Sequence, residues 1–135
     1  MGMVVSQEAI ASRVGGEILS RGGNAIDAAV ATGFALAVTL PQAGNLGGGG
    51  FMLIHLAKSG KTLAIDYREM APSASHQGLF LNSQGEVDVT LARFSHQSAG
   101  TPGTVAGLTH VLKLYGTVNL QQVMAPAIAL AANGI

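Results

Sequence analysis

Apolar residues recur every four positions near the start of the chain, which predicts a helix there. The stripe consists of Ile10, Val14 and Ile18, and side chains four apart share one helix face. Ser6 is a good N-cap, and Glu8 follows in the first turn, where the helix dipole favours negative charge. The glycines at residues 22–23 predict a left-handed end to this helix. Residues 3–5 are apolar and predict a short strand before it.

A second helix is predicted directly after the first and is apolar almost all round. Asn24 is its expected N-cap, with Asp27 as a capping-box partner, and Pro41 ends it. Residues 28–38 contain a single polar side chain. A helix without a polar face is expected to be buried on most sides.

A hairpin pattern follows the second helix. Residues 51–57 predict a strand, residues 58–61 a turn and residues 62–68 the returning strand. The continuous apolar run at residues 51–54 predicts burial on both faces of the first strand.

The remaining chain predicts a loop and two more helices. Residues 70–100 are mixed and polar and predict mostly loop, with turns at Gly78, Asn82 and Gly85. Thr104 is the expected cap of a third helix that ends at Gly116, with apolar positions at Val105, Leu108, Leu112 and Tyr115. Asn119 caps the last pattern, which contains Pro126 and therefore predicts either a kink or a new helix start, with a C-cap at Asn133–Gly134. The elements together predict an α/β (α+β) fold.

Composition excludes several classes of function. Seven basic and seven acidic residues balance in a chain of 135 residues, so there is no electrostatic footprint for nucleic acid. Charged residues are 10% of the chain, against about 25% in ordinary globular domains. So few charges predict that other protein covers part of the surface, or that the chain forms a homo-oligomer. There is no cysteine and no signal-peptide pattern, and no apolar run is long enough to span a membrane.

Four consecutive glycines at residues 47–50 are the most unusual local feature. Phosphate-binding glycine loops lie between a strand and a helix, whereas here a helical pattern precedes the glycines and a strand pattern follows them. Ser and charged residues are missing around them, which argues against a flexible linker. The run therefore predicts a tight turn where backbone packs closely near the core.

Several motifs together resemble the N-terminal part of the large subunit of γ-glutamyltranspeptidases. They are GGNAIDAAVATGFALAVTLPQAG at residues 22–44, PQAGNLGGGGFML at 41–53, DYREMAP at 66–72 and GTPGTVAG at 100–107. The resemblance covers nearly the whole chain in order. It implies part of the αββα sandwich of the N-terminal-nucleophile hydrolases. It also implies that residues 1–135 form a single incomplete domain, and that the compartment is periplasmic or extracellular.

Arg68 is the candidate substrate-binding residue. A guanidinium matches a carboxylate with two parallel hydrogen bonds, and by resemblance the arginine of DYREMAP holds the α-carboxylate of the γ-glutamyl group. From the residues alone, a structural ion pair with Asp66 or Glu69 is the competing interpretation. The scattered histidines His55, His76, His96 and His110 have no metal-ligand spacing, so no metal site is predicted.

No catalytic residue is predicted in this chain. By resemblance, the nucleophile is a threonine that self-cleavage exposes at the start of the small subunit, and no cofactor is needed. Thr101 and Thr104 lie in turn and cap patterns without a free amine, and are interpreted as structural. The implied activity is transfer or hydrolysis of the γ-glutamyl group of glutathione-like donors, by an assembly with the rest of the large subunit and the small subunit.

Two alternatives stay open at this stage. One is a cephalosporin-acylase-like or poly-γ-glutamate-processing relative, because Arg68 indicates a donor with a free α-carboxylate but does not identify which donor it is. The other is a non-catalytic, truncated binding or assembly domain. The reading frame after Ile135 discriminates the enzyme from a truncated domain: a continuing frame that reaches an internal threonine favours the enzyme, and a stop codon favours the truncated domain.

Overall fold

A computed structural model describes residues 2–135 and contains five helices and one hairpin. The helices are α1 (Ala9–Ser20), α2 (Ala25–Thr39), α3 (Val89–Phe94), α4 (Thr104–Tyr115) and α5 (Leu120–Asn133). The antiparallel strands are β1 (Phe51–Leu56) and β2 (Lys61–Asp66), and a 3₁₀ turn spans His96–Ser98. Residues 70–88 of the predicted loop at 70–100 are mostly loop, but residues 89–94 form α3 and residues 96–98 the 3₁₀ turn.

Helix α1 is capped by Glu8, not by Ser6 as predicted. The Glu8 carboxylate accepts hydrogen bonds from the backbone N–H groups of Ile10 at 3.0 Å and Ala11 at 2.9 Å. These two bonds lower the pKa of Glu8. The Ser6 hydroxyl contacts Ser12 Oγ and the Glu8 carbonyl instead. The predicted strand at residues 3–5 is wrong, because no neighbouring strand pairs with it among residues 2–135.

The junction between α1 and α2 follows the predicted caps. Gly22 has φ of +92°, and Gly23 N–H donates to the Ile18 carbonyl at 3.0 Å, as in a Schellman motif. Asn24 and Asp27 then form the complete capping box at the start of α2.

Helix α2 is the centre of the core. It packs against α1, α4 and α5, so the predicted burial on most sides is confirmed. The core cluster consists of Ala11, Val14, Ile18, Ala28, Val30, Ala31, Phe34, Ala35, Leu108, Leu112, Val123 and Ala127.

Asp27 is a fully buried carboxylate that ties α2 to the link between α4 and α5. Its Oδ1 accepts from the backbone N–H groups of Thr117 at 2.9 Å and Val118 at 3.1 Å. Its Oδ2 accepts from the Thr117 hydroxyl at 2.6 Å and from Asn24 N–H at 2.7 Å. Burial raises the pKa of Asp27, but these hydrogen bonds outweigh it and the net shift is downward.

The hairpin buries one face only, so the prediction that residues 51–54 are buried on both faces is wrong. Ile54 is 3% exposed, whereas Phe51 is 66% and Leu53 78% exposed. Strand side chains alternate between faces, and Met52 and Ile54 point to the helical side. No element among residues 2–135 covers the face of Phe51 and Leu53.

The last two helices begin and end close to their predicted limits. Thr104 is the first residue of α4 and Gly103 its N-cap, one residue earlier than predicted, while Gly116 is the C-cap as predicted. Asn119 caps α5 by accepting from Gln122 N–H at 2.9 Å. Helix α5 runs continuously through Pro126 to Asn133, with Gly134 as its C-cap, which excludes a new helix start at the proline.

The exposed hairpin face predicts that the isolated chain associates with itself or binds a hydrophobic dye. Further large apolar side chains are exposed outside the hairpin: Met3, Val5, Met70, Phe94 and Ile128. Exposed apolar surface of this kind marks interfaces. Sedimentation of the purified chain, together with dye fluorescence, checks this. A monomer at all concentrations that binds no dye would contradict it.

Candidate functional site

Two pairs of backbone hydrogen bonds fix the segment that carries Arg68. On one side, Tyr67 N–H donates to the Gly50 carbonyl at 3.0 Å, and Gly50 N–H donates to the Tyr67 carbonyl at 3.3 Å. On the other side, Met70 N–H donates to the Thr101 carbonyl at 3.2 Å, and Thr101 N–H donates to the Met70 carbonyl at 2.8 Å. The glycine run and the GTPGTVAG segment therefore hold the DYREMAP segment between them.

The glycine run also closes directly onto α4. The Gly48 carbonyl accepts from Gly103 N–H at 2.9 Å and from Thr104 N–H at 3.0 Å. These donors lie at the N-terminus of α4, where an anion would otherwise bind. Because backbone occupies that position, the glycine run does not serve as a phosphate loop there.

Two glycines of the GTPGTVAG segment leave room for Tyr67. A Cβ at Gly103 would overlap the Tyr67 carbonyl oxygen, and a Cβ at Gly107 would overlap Tyr67 Cβ and Cγ. Any larger residue would have to displace backbone or the root of a side chain. Tight packing was predicted for the glycine run at residues 47–50; Gly49 and Gly50 of that run also face Tyr67, a residue that sequence patterns did not single out. The signal was the spacing of four between Gly103 and Gly107, which places both on one side of α4.

Arg68 is exposed and lines a cavity of about 380 Å³. Other lining residues are Asp66, Met70, Thr101, Pro102 and His110. Asp66 Oδ1 accepts from the backbone N–H of Arg68 at 3.0 Å, so this carboxylate holds the backbone of Arg68. The cavity lining therefore contains one guanidinium, one carboxylate and one imidazole, together with hydroxyl and apolar groups.

The guanidinium of Arg68 forms no ion pair with Asp66 or Glu69. Within residues 2–135 the one salt bridge joins Glu17 to Arg21 at 3.7 Å on the surface of α1. The competing interpretation of Arg68 as a structural ion pair therefore has no support in the geometry, and the guanidinium is available to an anionic ligand.

The other candidate groups stay apart. His55 lies on the exposed side of β1 and contacts the Thr62 hydroxyl at 3.2 Å. His110 is the only one of the four histidines beside Arg68 in this cavity. In the part of the chain that the structure describes, no three acidic or histidine side chains come together as a metal site. No helix between residues 2 and 135 is long and apolar enough to cross a bilayer.

The sequence model of the gamma-glutamyltranspeptidase family matches residues 11–135. The chain belongs to this family. It is 57% identical to the glutathione hydrolase proenzyme of Escherichia coli over 98% of its own length, but spans 23% of that relative. The relatives that it matches are enzymes. The chain spans about a quarter of their length.

Solved structures of similar proteins confirm the fold. The structure of Helicobacter pylori gamma-glutamyltranspeptidase is 52% identical, with a TM-score of 0.96 over 99% of this chain and 38% of the other. The cephalosporin acylase of Bacillus halodurans is 28% identical, with a TM-score of 0.79 over 95% of this chain and 23% of the other. The predicted fold class, part of the αββα sandwich, is confirmed by these likenesses.

Proposed function

We propose that this chain forms the donor-anchoring part of a γ-glutamyltranspeptidase that transfers or hydrolyses the γ-glutamyl group of glutathione and related donors. The proposal is carried by Arg68 of the DYREMAP motif, whose guanidinium forms no ion pair among residues 2–135 and which lines a cavity. The proposal makes residues 1–135 a single incomplete domain of a longer protein, since the matched relatives are more than four times longer.

Arg68 would bind the α-carboxylate of the donor through two parallel N–H···O bonds. Such a pair would fix the position and the plane of the donor carboxylate, which restricts where the γ-carbonyl can lie. Chemistry would occur at that distant carbonyl. A threonine hydroxyl would attack it, form a γ-glutamyl ester and release the donor amine, and water or an acceptor amine would then cleave the ester.

The nucleophile has to come from outside these 135 residues. Thr104 is buried in the first turn of α4, and Thr101 is held in its bridge with Met70. Neither has a free N-terminal amine. The proposed partners are accordingly the remainder of the large subunit and the small subunit, with a glutathione-like substrate. We infer a periplasmic or extracellular location from the family alone.

A cephalosporin-acylase-like or poly-γ-glutamate-processing activity is the second candidate. The likeness to the Bacillus halodurans acylase supports it, at 28% identity. The higher identity to glutathione hydrolases favours the first candidate. A non-catalytic assembly domain is the candidate of another class, and the exposed hairpin face fits it as well.

The purified 135-residue chain should release no chromophore from a γ-glutamyl anilide, because it lacks a nucleophile. A chimera in which this chain replaces the matching segment of the Escherichia coli proenzyme should mature and release the chromophore. Activity of the isolated chain would contradict the assignment of the nucleophile to another segment. A folded, mature but inactive chimera would contradict the proposed function.

A further inference from the structure

We propose that Tyr67 is the positioning residue for Arg68: its ring, seated against the glycines of two motifs, sets where the guanidinium lies in the cavity. This inference rests on the proposed function, because it assigns Tyr67 a role only through the donor anchor. Tyr67 also lines part of the cavity, but its proposed role is to hold the backbone of Arg68 and not to bind the donor.

The seat of the ring is built from both glycine motifs. A Cβ at Gly50 would lie 2.9 Å from Tyr67 Cε2 and 3.1 Å from its hydroxyl oxygen, and Gly107 faces the root of the same side chain. The ring therefore lies in a slot between the end of the glycine run and α4. In such a slot a side chain has few alternative rotamers, since moving it by an ångström requires backbone to move.

Neighbouring residues on an extended segment point to opposite sides. Tyr67 is half-buried with its ring in the slot, Arg68 is exposed, and both residues line the cavity. Fixing the ring at residue 67 therefore fixes the direction in which the Cα–Cβ bond of residue 68 leaves the backbone. Arginine itself is long and flexible, so a bidentate pair depends on a fixed starting point, and functional groups must be held within about 0.5 Å.

The hydroxyl of Tyr67 adds little to this role. It has no hydrogen-bond partner among residues 2–135, and burial raises the pKa of Tyr67 above its ordinary value of 10.0, so it stays neutral. Packing of the ring is the property that matters, which predicts that phenylalanine can replace tyrosine.

The test uses the mature full-length chimera with the Escherichia coli relative. Tyr67→Ala should raise the donor KM roughly tenfold with a much smaller change in kcat, since a misplacement of about 1 Å can have effects of this order or larger. Tyr67→Phe should keep KM within about twofold of the parent. Ile18→Ala, which truncates a core side chain on α1, a helix that contributes no residue to the cavity, is the control for general destabilisation.

A pair of glycine variants tests the packing of Tyr67 by changing Gly107, which forms the α4 side of the slot. Gly107→Ala crowds the ring and should raise KM as Tyr67→Ala does. Gly16→Ala is its matched control, because a Cβ at that helical glycine meets nothing within 4 Å. If Tyr67→Ala fails to mature, Gly107→Ala carries the same test. Failure of both to mature, while the parent and Gly16→Ala do, would assign Tyr67 a folding role only and overturn the proposal.

A double-mutant cycle separates positioning from any independent effect. In the Arg68→Ala background, Tyr67→Ala should cause no further rise in KM, because the group that it positions is gone. A full additive rise would overturn the positioning role. If Arg68→Ala alone leaves KM unchanged, Arg68 does not anchor the donor, and the proposed function is contradicted before the role of Tyr67 is tested. If Arg68→Ala raises KM but Tyr67→Ala and Gly107→Ala do not, the positioning role fails and the anchor stands.

Discussion

Replacing Arg68 with alanine in the full-length chimera should raise the donor KM by roughly one to two orders of magnitude, since hydrogen bonds to charged groups are typically worth about 1.5–3 kcal/mol. The melting temperature should hardly change, because the guanidinium is exposed and pairs with no carboxylate among residues 2–135. Self-cleavage should survive, because the donor carboxylate plays no part in maturation.

Arg68→Lys is the matched variant for geometry. Lysine keeps the positive charge but loses the planar fork that makes two parallel bonds to a carboxylate. Donor KM should therefore still rise, although less than for Arg68→Ala. A purely structural role for Arg68 predicts the opposite pattern for both variants: a lower melting temperature or failed maturation, with near-normal KM in whatever folds.

Asp27→Asn should destabilise the chain by about 2–4 kcal/mol, the largest expected effect on stability. The carboxylate accepts four hydrogen bonds in a fully buried site. An amide presents an –NH₂ group in place of one oxygen. This –NH₂ would face another hydrogen-bond donor, either Asn24 N–H or Thr117 N–H. A buried unsatisfied donor costs about 1–3 kcal/mol, and the charge-assisted bonds are weakened in addition.

The control for Asp27→Asn is Asp88→Asn at the N-cap of α3. Asp88 is half-buried and accepts one hydrogen bond, from Leu91 N–H at 2.9 Å. Asparagine caps helices about as well as aspartate, so this variant should be close to neutral. Urea unfolding followed by far-UV circular dichroism measures both, at one fixed protein concentration because self-association would also stabilise the fold. Equal midpoints for the two variants would contradict the role of Asp27.

The pH dependence of unfolding gives a second measure of Asp27. Its pKa in the folded chain lies below the ordinary value of 3.8, so the unfolded chain takes up the proton first as pH falls. The contribution of Asp27 is therefore complete above the unfolded pKa and is lost as pH falls through the folded pKa. The parent should lose stability over this acidic range, and Asp27→Asn should show a weaker loss.

Local features of the fold could be predicted from the sequence because they depend on neighbouring residues. The capping box of Asn24 and Asp27 and the glycine end of α1 are determined within a few positions. The strands were predicted to within two residues at each end. The start of α1 was missed because a glutamate two residues after Ser6 offers two carboxylate oxygens to the helix, where serine offers one hydroxyl.

Features that join distant segments could not be predicted. The bonds from Asp27 to Thr117 and Val118 cross about ninety positions, and no local pattern in α2 indicates them. The slot for Tyr67 likewise needs glycines from two motifs to meet a third. The apolar run at residues 51–54 indicated burial on both faces, but periodicity does not say which protein covers a face, and here Phe51 and Leu53 are exposed.

Arg68 itself was predicted from the motif that contains it, and the structure adds the cavity. Its position beside a strand end was evident from the hairpin pattern, whereas the contribution of Thr101, Pro102 and His110 to the same cavity was not. These residues lie more than thirty positions later, and the pairing of Met70 with Thr101 brings them there.

The central claim, that Arg68 binds the α-carboxylate of a γ-glutamyl donor, is tested most directly by changing the donor and the enzyme together. Donor KM is measured for a γ-glutamyl anilide and for its analogue with the α-carboxylate converted to an amide, on the parent chimera and on Arg68→Ala. The parent should prefer the carboxylate donor by roughly tenfold or more, and Arg68→Ala should lose that preference. An undiminished preference in Arg68→Ala would contradict the claim.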